Sequence, residues 1–155
     1  MKSMIMIAFL VLSLSLAGKA QKNEAARSQH FNTESGVALQ GYDPVAYFTQ
    51  NAAVKGSEKY AYLHDGITYH FASADHLAKF KENPEQYEPQ YGGWCAYAMG
   101  LNGEKVVINP KTFKITGGKL YLFYNKFFTN TLTEWIKEEN SLTPKADQYW
   151  QQIIQ

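Results

Sequence analysis

The chain has 155 residues, with 15 Lys and Arg against 14 Asp and Glu, and a formal net charge of +1 at pH 7. This near balance of charges argues against a nucleic-acid partner held by bulk positive charge. The length fits one domain with a single core, and the one cysteine excludes a framework of internal disulfides.

The first 20 residues have the pattern of a cleavable signal peptide. Lys2 precedes the apolar run Met4–Leu16, and small residues precede the predicted cleavage near Ala20. The apolar run is shorter than the ~20 residues that a transmembrane helix needs, and no later stretch of the chain is long enough. We therefore expect a periplasmic or secreted protein with no membrane span.

The next segment, residues 21–35, is polar and has no hydrophobic periodicity. Such composition is typical of a flexible tail without regular structure. We therefore place the folded domain at residues 36–155.

The stretch Gly41–Phe48 predicts a short helical turn. Asp43 is a good N-cap residue, and Pro44 suits the first helical position. Capping by itself explains why an aspartate stands at residue 43, although its carboxylate could also serve as a base or a ligand.

A β-hairpin follows, with strands predicted at Lys59–His64 and Ile67–Phe71 around the turn dipeptide Asp65-Gly66. In this register Leu63 opposes Thr68, and side chains alternate between the two faces. His64 and His70 then lie on opposite faces, so we do not expect them to share one ligand.

Ser73 is a predicted N-cap for a helix over Ala74–Glu82, and Asn83-Pro84 ends that helix and starts another turn. The segment Tyr91–Gly100 then combines a glycine pair, a short helix and a glycine stop.

Three further strands and two C-terminal helices complete the pattern. The strands are Lys105–Ile108, Phe113–Thr116 and Leu120–Tyr124, with a turn at Gly117-Gly118; the first helix has an apolar stripe at Phe128, Leu132, Trp135 and Ile136, and Thr143-Pro144 opens the second. The elements do not alternate regularly, which favours an α+β fold: a small antiparallel sheet packed with several short helices and C-terminal helices.

Five short motifs follow one another in the order Gly41–Phe48, Tyr69–Ser73, Asn83–Tyr87, Tyr91–Ala96 and Gly118–Leu122. Together they resemble the YHS family, in the exported single-domain form found in bacteria. The resemblance implies a small α+β module that binds soft or transition metals.

The chain departs from the family pattern at its thiolate positions. In the relatives a Cys follows Asp-Pro-Val, and a Phe-Cys-Ser-x-x-Cys segment follows the hairpin. Here those positions hold Ala46, Ala72 and His76. A closed zinc site with four Cys or His ligands is therefore not expected.

Cys95 is the only thiol of the chain and lies four residues before Met99. On a helix both sulfurs would share one face, and thiolate with thioether favours copper(I) over zinc. His76 or His70 could complete such a sparse site, which makes a copper-binding protein our first hypothesis. In the alternative interpretation Cys95 is a buried, inert thiol and Met99 fills the core.

Two other functions stay open. Tyr91, Trp94 and Tyr97 surround the thiol and could form a pocket for a small organic ligand or a haem-like cofactor, with Asp43 and His64 as further candidate polar residues. A thiol enzyme or redox protein would instead need a histidine within reach of Cys95. The chain has no hydrolase motif, phosphate loop or dinucleotide fingerprint, so binding is favoured over catalysis.

Overall fold

The computed structural model describes Gln21 and residues 23–155. The predicted signal peptide at residues 1–20 therefore lies outside the described residues. In the part of the chain that is described, no helix combines the length and apolar character needed to cross a membrane.

The fold is α+β, as the sequence predicts. The elements are α1 (residues 23–30), β1 (Thr33–Glu34), β2 (Val37–Ala38), a 3-10 turn (Leu39–Gly41), α2 (Pro44–Thr49), β3 (Ser57–His64), β4 (Ile67–Phe71), α3 (Ala74–Glu82), α4 (Pro84–Tyr87), a second 3-10 turn (Gln90–Gly93), α5 (Ala96–Asn102), β5 (Asn109–Thr116), β6 (Lys119–Phe123), β7 (Asn125–Lys126), β8 (Thr129–Asn130) and α6 (Thr131–Ile154).

The described strands form three small sheets rather than one. Four strands have the order β1-β2-β4-β3, while β5 pairs with β6 and β7 pairs with β8. All pairs are antiparallel except β2 and β4, which run parallel. The chain can make that parallel pair because α2 and β3 lie between the two strands in sequence and carry it back to the same end of the sheet.

The predicted hairpin is confirmed, including its register. Leu63 pairs with Thr68, and Tyr62 pairs with Tyr69. Asp65 and Gly66 form the turn, both with positive φ, as a two-residue hairpin requires. The face that carries Tyr69 is buried, whereas Leu63 on the opposite face is largely exposed.

Both predicted helix caps are also confirmed. The Asp43 side chain accepts hydrogen bonds from the first turn of α2, where Pro44 occupies the first position. The Ser73 hydroxyl accepts a hydrogen bond from the backbone N–H of His76 in α3.

Residues 23–30 form a helix, although polar composition predicted a tail without regular structure. Arg27 forms an ion pair with Glu88, and both side chains are mostly buried. The ring of Phe31, just after the helix, packs edge-on against Trp150 of α6. These long-range contacts stabilise a helix that the local sequence does not favour by itself.

The strand predicted at Lys105–Ile108 is wrong. Residues 103–108 have no strand partner, and the strand begins only at Asn109. Helix α5 also continues past Gly100 to Asn102 and ends at Gly103, which adopts the left-handed conformation. Gly100 lies inside α5, where the absence of a side chain allows α6 to approach closely.

The two predicted C-terminal helices are one continuous helix, α6, with Pro144 inside it. Pro144 removes one backbone donor, but the long contact with α5 holds the helix together across that point. Trp135 of the predicted apolar stripe is fully buried, whereas Phe128 and Ile136 are exposed.

The core has two parts. The first contains the hairpin face, α2 and the ring of Phe80, together with Cys95. The second lies between α5, β6 and α6 and includes Met99 and Trp135. The N-terminus of α2, the end of β4 and the start of α3 meet at the edge of the first part.

Candidate functional site

The carboxylate of Asp43 is the centre of a buried polar cluster. Its Oδ1 accepts hydrogen bonds from the backbone N–H of Val45 at 2.8 Å and of Ala46 at 3.3 Å. Its Oδ2 accepts from the backbone N–H of Ala72 and from Nδ1 of His76, at 2.8 Å and 2.6 Å. Asp43 is fully buried, and these four donors satisfy both of its oxygens.

Three separate elements bring these donors together. Pro44 starts α2, so the two N–H groups of its first turn point at the capping carboxylate. Strand β4 ends beside it and presents the N–H of Ala72. The Ser73 cap then fixes the start of α3, which places His76 within its first turn.

The Asp43 carboxylate determines which nitrogen of His76 carries a proton. An ionised carboxylate can only accept hydrogen bonds, so Nδ1 of His76 is the donor in this pair. Nε2 lies on the other side of the ring, 3.4 Å from Oγ1 of Thr49. The Thr49 hydroxyl also lies 3.0 Å from the carbonyl oxygen of Val45, to which it donates.

A hydroxyl has one proton, and the shorter bond to Val45 uses it. When the His76 ring carries one proton, at Nδ1, its Nε2 therefore presents an unused lone pair. His76 is 8% exposed, and Thr49 beside it is exposed, so this lone pair lies close to solvent. Chemically, the site can accept a proton or ligate a metal ion at one nitrogen.

The three positions at which the resemblance to the YHS family leads one to expect thiolates meet at this carboxylate. Ala46 and Ala72 donate to it through their backbone N–H groups, and His76 through its imidazole. At two of the three positions the side chain is only a methyl group. The sequence alone does not show this convergence, because the first two positions are 26 residues apart.

A buried tyrosine lies beside the carboxylate on α2. Burial raises the pKa of Tyr47 well above its usual value, and the neighbouring Tyr42 and Asp43 raise it further. The Tyr47 hydroxyl donates to the carbonyl of Pro110 at 2.9 Å. This side chain therefore stays neutral and ties α2 to the start of β5.

The predicted sulfur pair has a different placement. Cys95 occupies the N-cap position of α5 and is fully buried, with Sγ 3.3 Å from Oγ1 of Thr131 and 3.4 Å from the backbone nitrogen of Tyr124. Met99 is also fully buried, but it belongs to the second part of the core. The two residues thus pack in different parts of the core.

Within residues 23–155 no three His, Cys, Asp or Glu side chains gather in a group that could hold a metal ion. His76 lies with Asp43, whereas Cys95 lies with Thr131. His70 lines a separate surface pocket. The fold therefore does not bring His76, Cys95 and His70 together in a single site.

That pocket has a volume of about 400 Å³ and is polar. His70 lines it together with Lys55, whose Nζ donates to the carbonyl of Gln40 at 2.6 Å. Gly41 forms part of the wall at φ +78°, where an added Cβ would lie 3.6 Å from Nδ1 of His70.

The remaining predicted site residues hold elements of the fold together. Tyr91 donates through its hydroxyl to Asp147 of α6 at 2.9 Å, and Trp94 donates through its indole N–H to the carbonyl of His30 at 2.7 Å. Half-buried Tyr97 packs against both parts of the core. His64 packs edge-on against Phe80 and lies 3.8 Å from the carboxylate of its neighbour Asp65.

Sequence reasoning missed Thr49 and Lys55 as site residues. No sequence motif marks Thr49, whose only distinction is that it is the last residue of α2. Lys55 lies in a polar stretch without periodicity.

In comparisons with known proteins, no family model, no curated protein and no solved structure matches this chain.

Proposed function

We propose that the protein is an exported binding protein of the YHS type that holds a transition metal ion, with copper favoured, at Nε2 of His76. The observation that supports this most directly is the 2.6 Å hydrogen bond between Nδ1 of His76 and the buried carboxylate of Asp43. Metal-binding histidines usually donate their other ring nitrogen to a carboxylate or a carbonyl, which fixes the tautomer and makes the ligand more basic.

The convergence at Asp43 supports the same location. The family resemblance puts metal-type ligands at residues 46, 72 and 76, and the fold brings these three positions to one carboxylate. Of the three, only His76 has a side chain that can ligate. An imidazole suits copper, zinc, iron and nickel, and among these divalent ions copper(II) binds nitrogen donors most tightly.

The donor set does not fit a closed metal cage. Ala46 and Ala72 contribute no ligand atom, and Asp43 has no oxygen lone pair left for a first bond to a metal. The site is therefore open, with one protein nitrogen and the remaining ligands from water or from a partner. Such a site suits weak binding and rapid release better than permanent storage.

Export is part of this proposal. It is motivated by the signal-peptide pattern at residues 1–20, which predicts that the domain works in the periplasm or outside the cell.

Titration of the chain from residue 21 onward with copper(II), followed by calorimetry and electron paramagnetic resonance, tests the proposal. We expect one site with nitrogen coupling that His76→Gln abolishes. His64→Gln is the matched control and should keep the site. Unchanged binding in His76→Gln would contradict the proposal.

Two further variants separate the roles of the neighbours. Asp43→Asn should weaken copper binding by about 10- to 100-fold, because one amide oxygen replaces the two oxygens that serve four donors and orients the His76 ring less well. Cys95→Ser should leave the affinity unchanged, since the Cys95 thiol contacts Thr131 and Tyr124 rather than Asp43 or His76. Loss of copper binding in Cys95→Ser would instead show that the thiol holds the metal.

The pocket at His70 favours a second candidate function, the binding of a small polar ligand. Its volume of about 400 Å³ lies in the range of small-molecule sites. Gln40 and Ser35 in its wall have positive φ angles, a conformation that costs energy for residues other than glycine and is often found at functional sites.

Native mass spectrometry of the freshly purified chain tests this second function. A bound organic molecule that is retained by His64→Ala and lost in His70→Ala would support it. Bare protein in every preparation would contradict it.

A further inference from the structure

Two adjacent phenylalanines form the tip of the β7–β8 hairpin. Asn125 pairs with Asn130, and Lys126 pairs with Thr129, so the chain turns at residues 127 and 128. The side chains of Phe127 and Phe128 are 94% and 107% exposed. No other adjacent pair of large apolar residues in the described chain is so exposed.

The backbone at this tip is also strained. Phe127 has φ +56°, a left-handed conformation that two-residue turns normally assign to Asn, Asp or Gly. A bulky aromatic side chain is unfavourable there. The tip therefore combines two unfavourable features, strain and exposed apolar surface, and neither phenylalanine contributes to the core.

The base of the hairpin is firmly held. The side-chain amide of Asn125 donates to Thr112 at 3.0 Å, and the side chain of Asn130 caps α6. The backbone N–H of Thr131 donates to the carbonyl of Tyr124 at 3.0 Å. These hydrogen bonds hold the backbone on both sides of the phenylalanines, which lowers the conformational entropy lost when the two side chains become buried in a partner.

We propose that Phe127 and Phe128 insert into the interfacial region of a lipid bilayer. Each phenylalanine can bury about 150–250 Å², so the pair covers at most about 500 Å². A stable protein interface needs about 800 Å² from each partner. A bilayer, in contrast, accepts an isolated apolar protrusion because it needs no matching surface around it.

The charges at the tip fit the same partner. Lys126 immediately precedes the phenylalanines, and residues 125–130 contain no carboxylate. An aromatic tip with a lysine at its base matches the apolar interior and the phosphate layer of a membrane surface. The inference concerns a surface contact only, and it does not depend on the metal site.

Flotation of the chain from residue 21 onward with lipid vesicles tests the inference. The vesicles consist of phosphatidylcholine alone or of an equimolar mixture with phosphatidylglycerol. We expect binding to both, and stronger binding to the mixture. Replacing either phenylalanine by serine should weaken partitioning by about tenfold or more, because the burial of one large apolar side chain is lost. Leu63→Ser, which removes an exposed apolar side chain elsewhere, is the matched control.

Phe127→Gly separates the loss of the aromatic side chain from disruption of the turn, because glycine suits the positive φ at this position. Glycine relieves the positive φ, so the thermal midpoint should rise while vesicle binding falls. Lys126→Gln should weaken binding only to the anionic vesicles, and added salt should have the same effect.

Failure of the wild-type chain to float with either vesicle would overturn the inference. A chain that self-associates in light scattering but binds no vesicles would also overturn it, if Phe128→Ser abolishes the self-association. The tip would then contact a second copy of the chain. Equal binding by wild type and by the double variant of Phe127 and Phe128 would also overturn it.

Discussion

Nδ1 of His76 donates a hydrogen bond to Oδ2 of Asp43 across 2.6 Å, and both residues are buried. The same oxygen accepts a hydrogen bond from the backbone N–H of Ala72. The other oxygen accepts hydrogen bonds from backbone N–H groups in the first turn of α2. One carboxylate thus joins two helices and a strand end. It also orients the one imidazole that the proposed metal site uses.

Removing this carboxylate should strongly destabilise the fold. Asp43→Ala removes a helix cap and leaves several buried donors without an acceptor, so we expect the free energy of unfolding to fall by about 3–5 kcal/mol. Urea denaturation followed by circular dichroism measures this change. Asp75→Asn, at an exposed carboxylate of α3 that pairs with Lys79, should change the midpoint by much less. Equal effects of the two variants would contradict the central role of Asp43.

The fold should lose stability in alkaline solution. Burial raises the pKa of Tyr47, Tyr69 and Tyr91 above the usual value of 10.0. The unfolded chain ionises these hydroxyls near pH 10 while the folded chain keeps them protonated. Their contribution is therefore complete below pH 10 and decreases as the pH rises above it, by up to about 1.4 kcal/mol per pH unit for each group.

Urea denaturation between neutral pH and pH 11 tests this dependence. Tyr91→Phe should reduce the alkaline slope, whereas Leu63→Ala, which removes no ionisable group, should keep it. Absorbance at 295 nm should show that some tyrosines ionise only when the chain unfolds. Complete ionisation in the folded chain would contradict the prediction.

Cys95 should react slowly in the native protein. Its side chain is fully buried and lies against Thr131 and Tyr124, so a reagent can reach it only after local opening. We expect little alkylation over a period in which the chain in urea is completely labelled, as measured by mass spectrometry. Rapid labelling of the folded chain would instead favour a thiol-reactive function.

Gly100 should be required for the packing of α5 on α6. An added Cβ at this position would lie 2.9 Å from the carbonyl oxygen of Leu142 and 3.0 Å from its Cβ. We expect Gly100→Ala to lower the free energy of unfolding by about 1–3 kcal/mol, although alanine favours a helix by about 1 kcal/mol. Leu101→Ala, at an exposed neighbour, is the control for thermal denaturation. A stabilised Gly100→Ala would show that the two helices separate easily.

Local signals predicted much of the fold correctly. The turn at Asp65-Gly66 determines the hairpin register because few residues tolerate its backbone angles. Asp43 and Ser73 were predicted as caps because short polar side chains satisfy the first N–H groups of a helix. These features involve residues close together in the chain, and their physical causes are equally local.

Two elements differ from what their local sequence predicts, because contacts with distant residues determine them. Helix α1 exists although its composition is polar, because Arg27 pairs with Glu88. Helix α6 continues through Pro144, because its packing on α5 outweighs one missing hydrogen bond.

The candidate site shows the same division. The neighbours of Asp43 in the sequence predict it as a helix cap, whereas His76 is a candidate ligand only through the resemblance to the YHS family. The tertiary structure alone decides their pairing, the different polar partners of Cys95 and the exposure of Phe127. A propensity depends on a few adjacent residues, whereas a hydrogen bond between residues 43 and 76 exists only when two helices and a strand have already packed together.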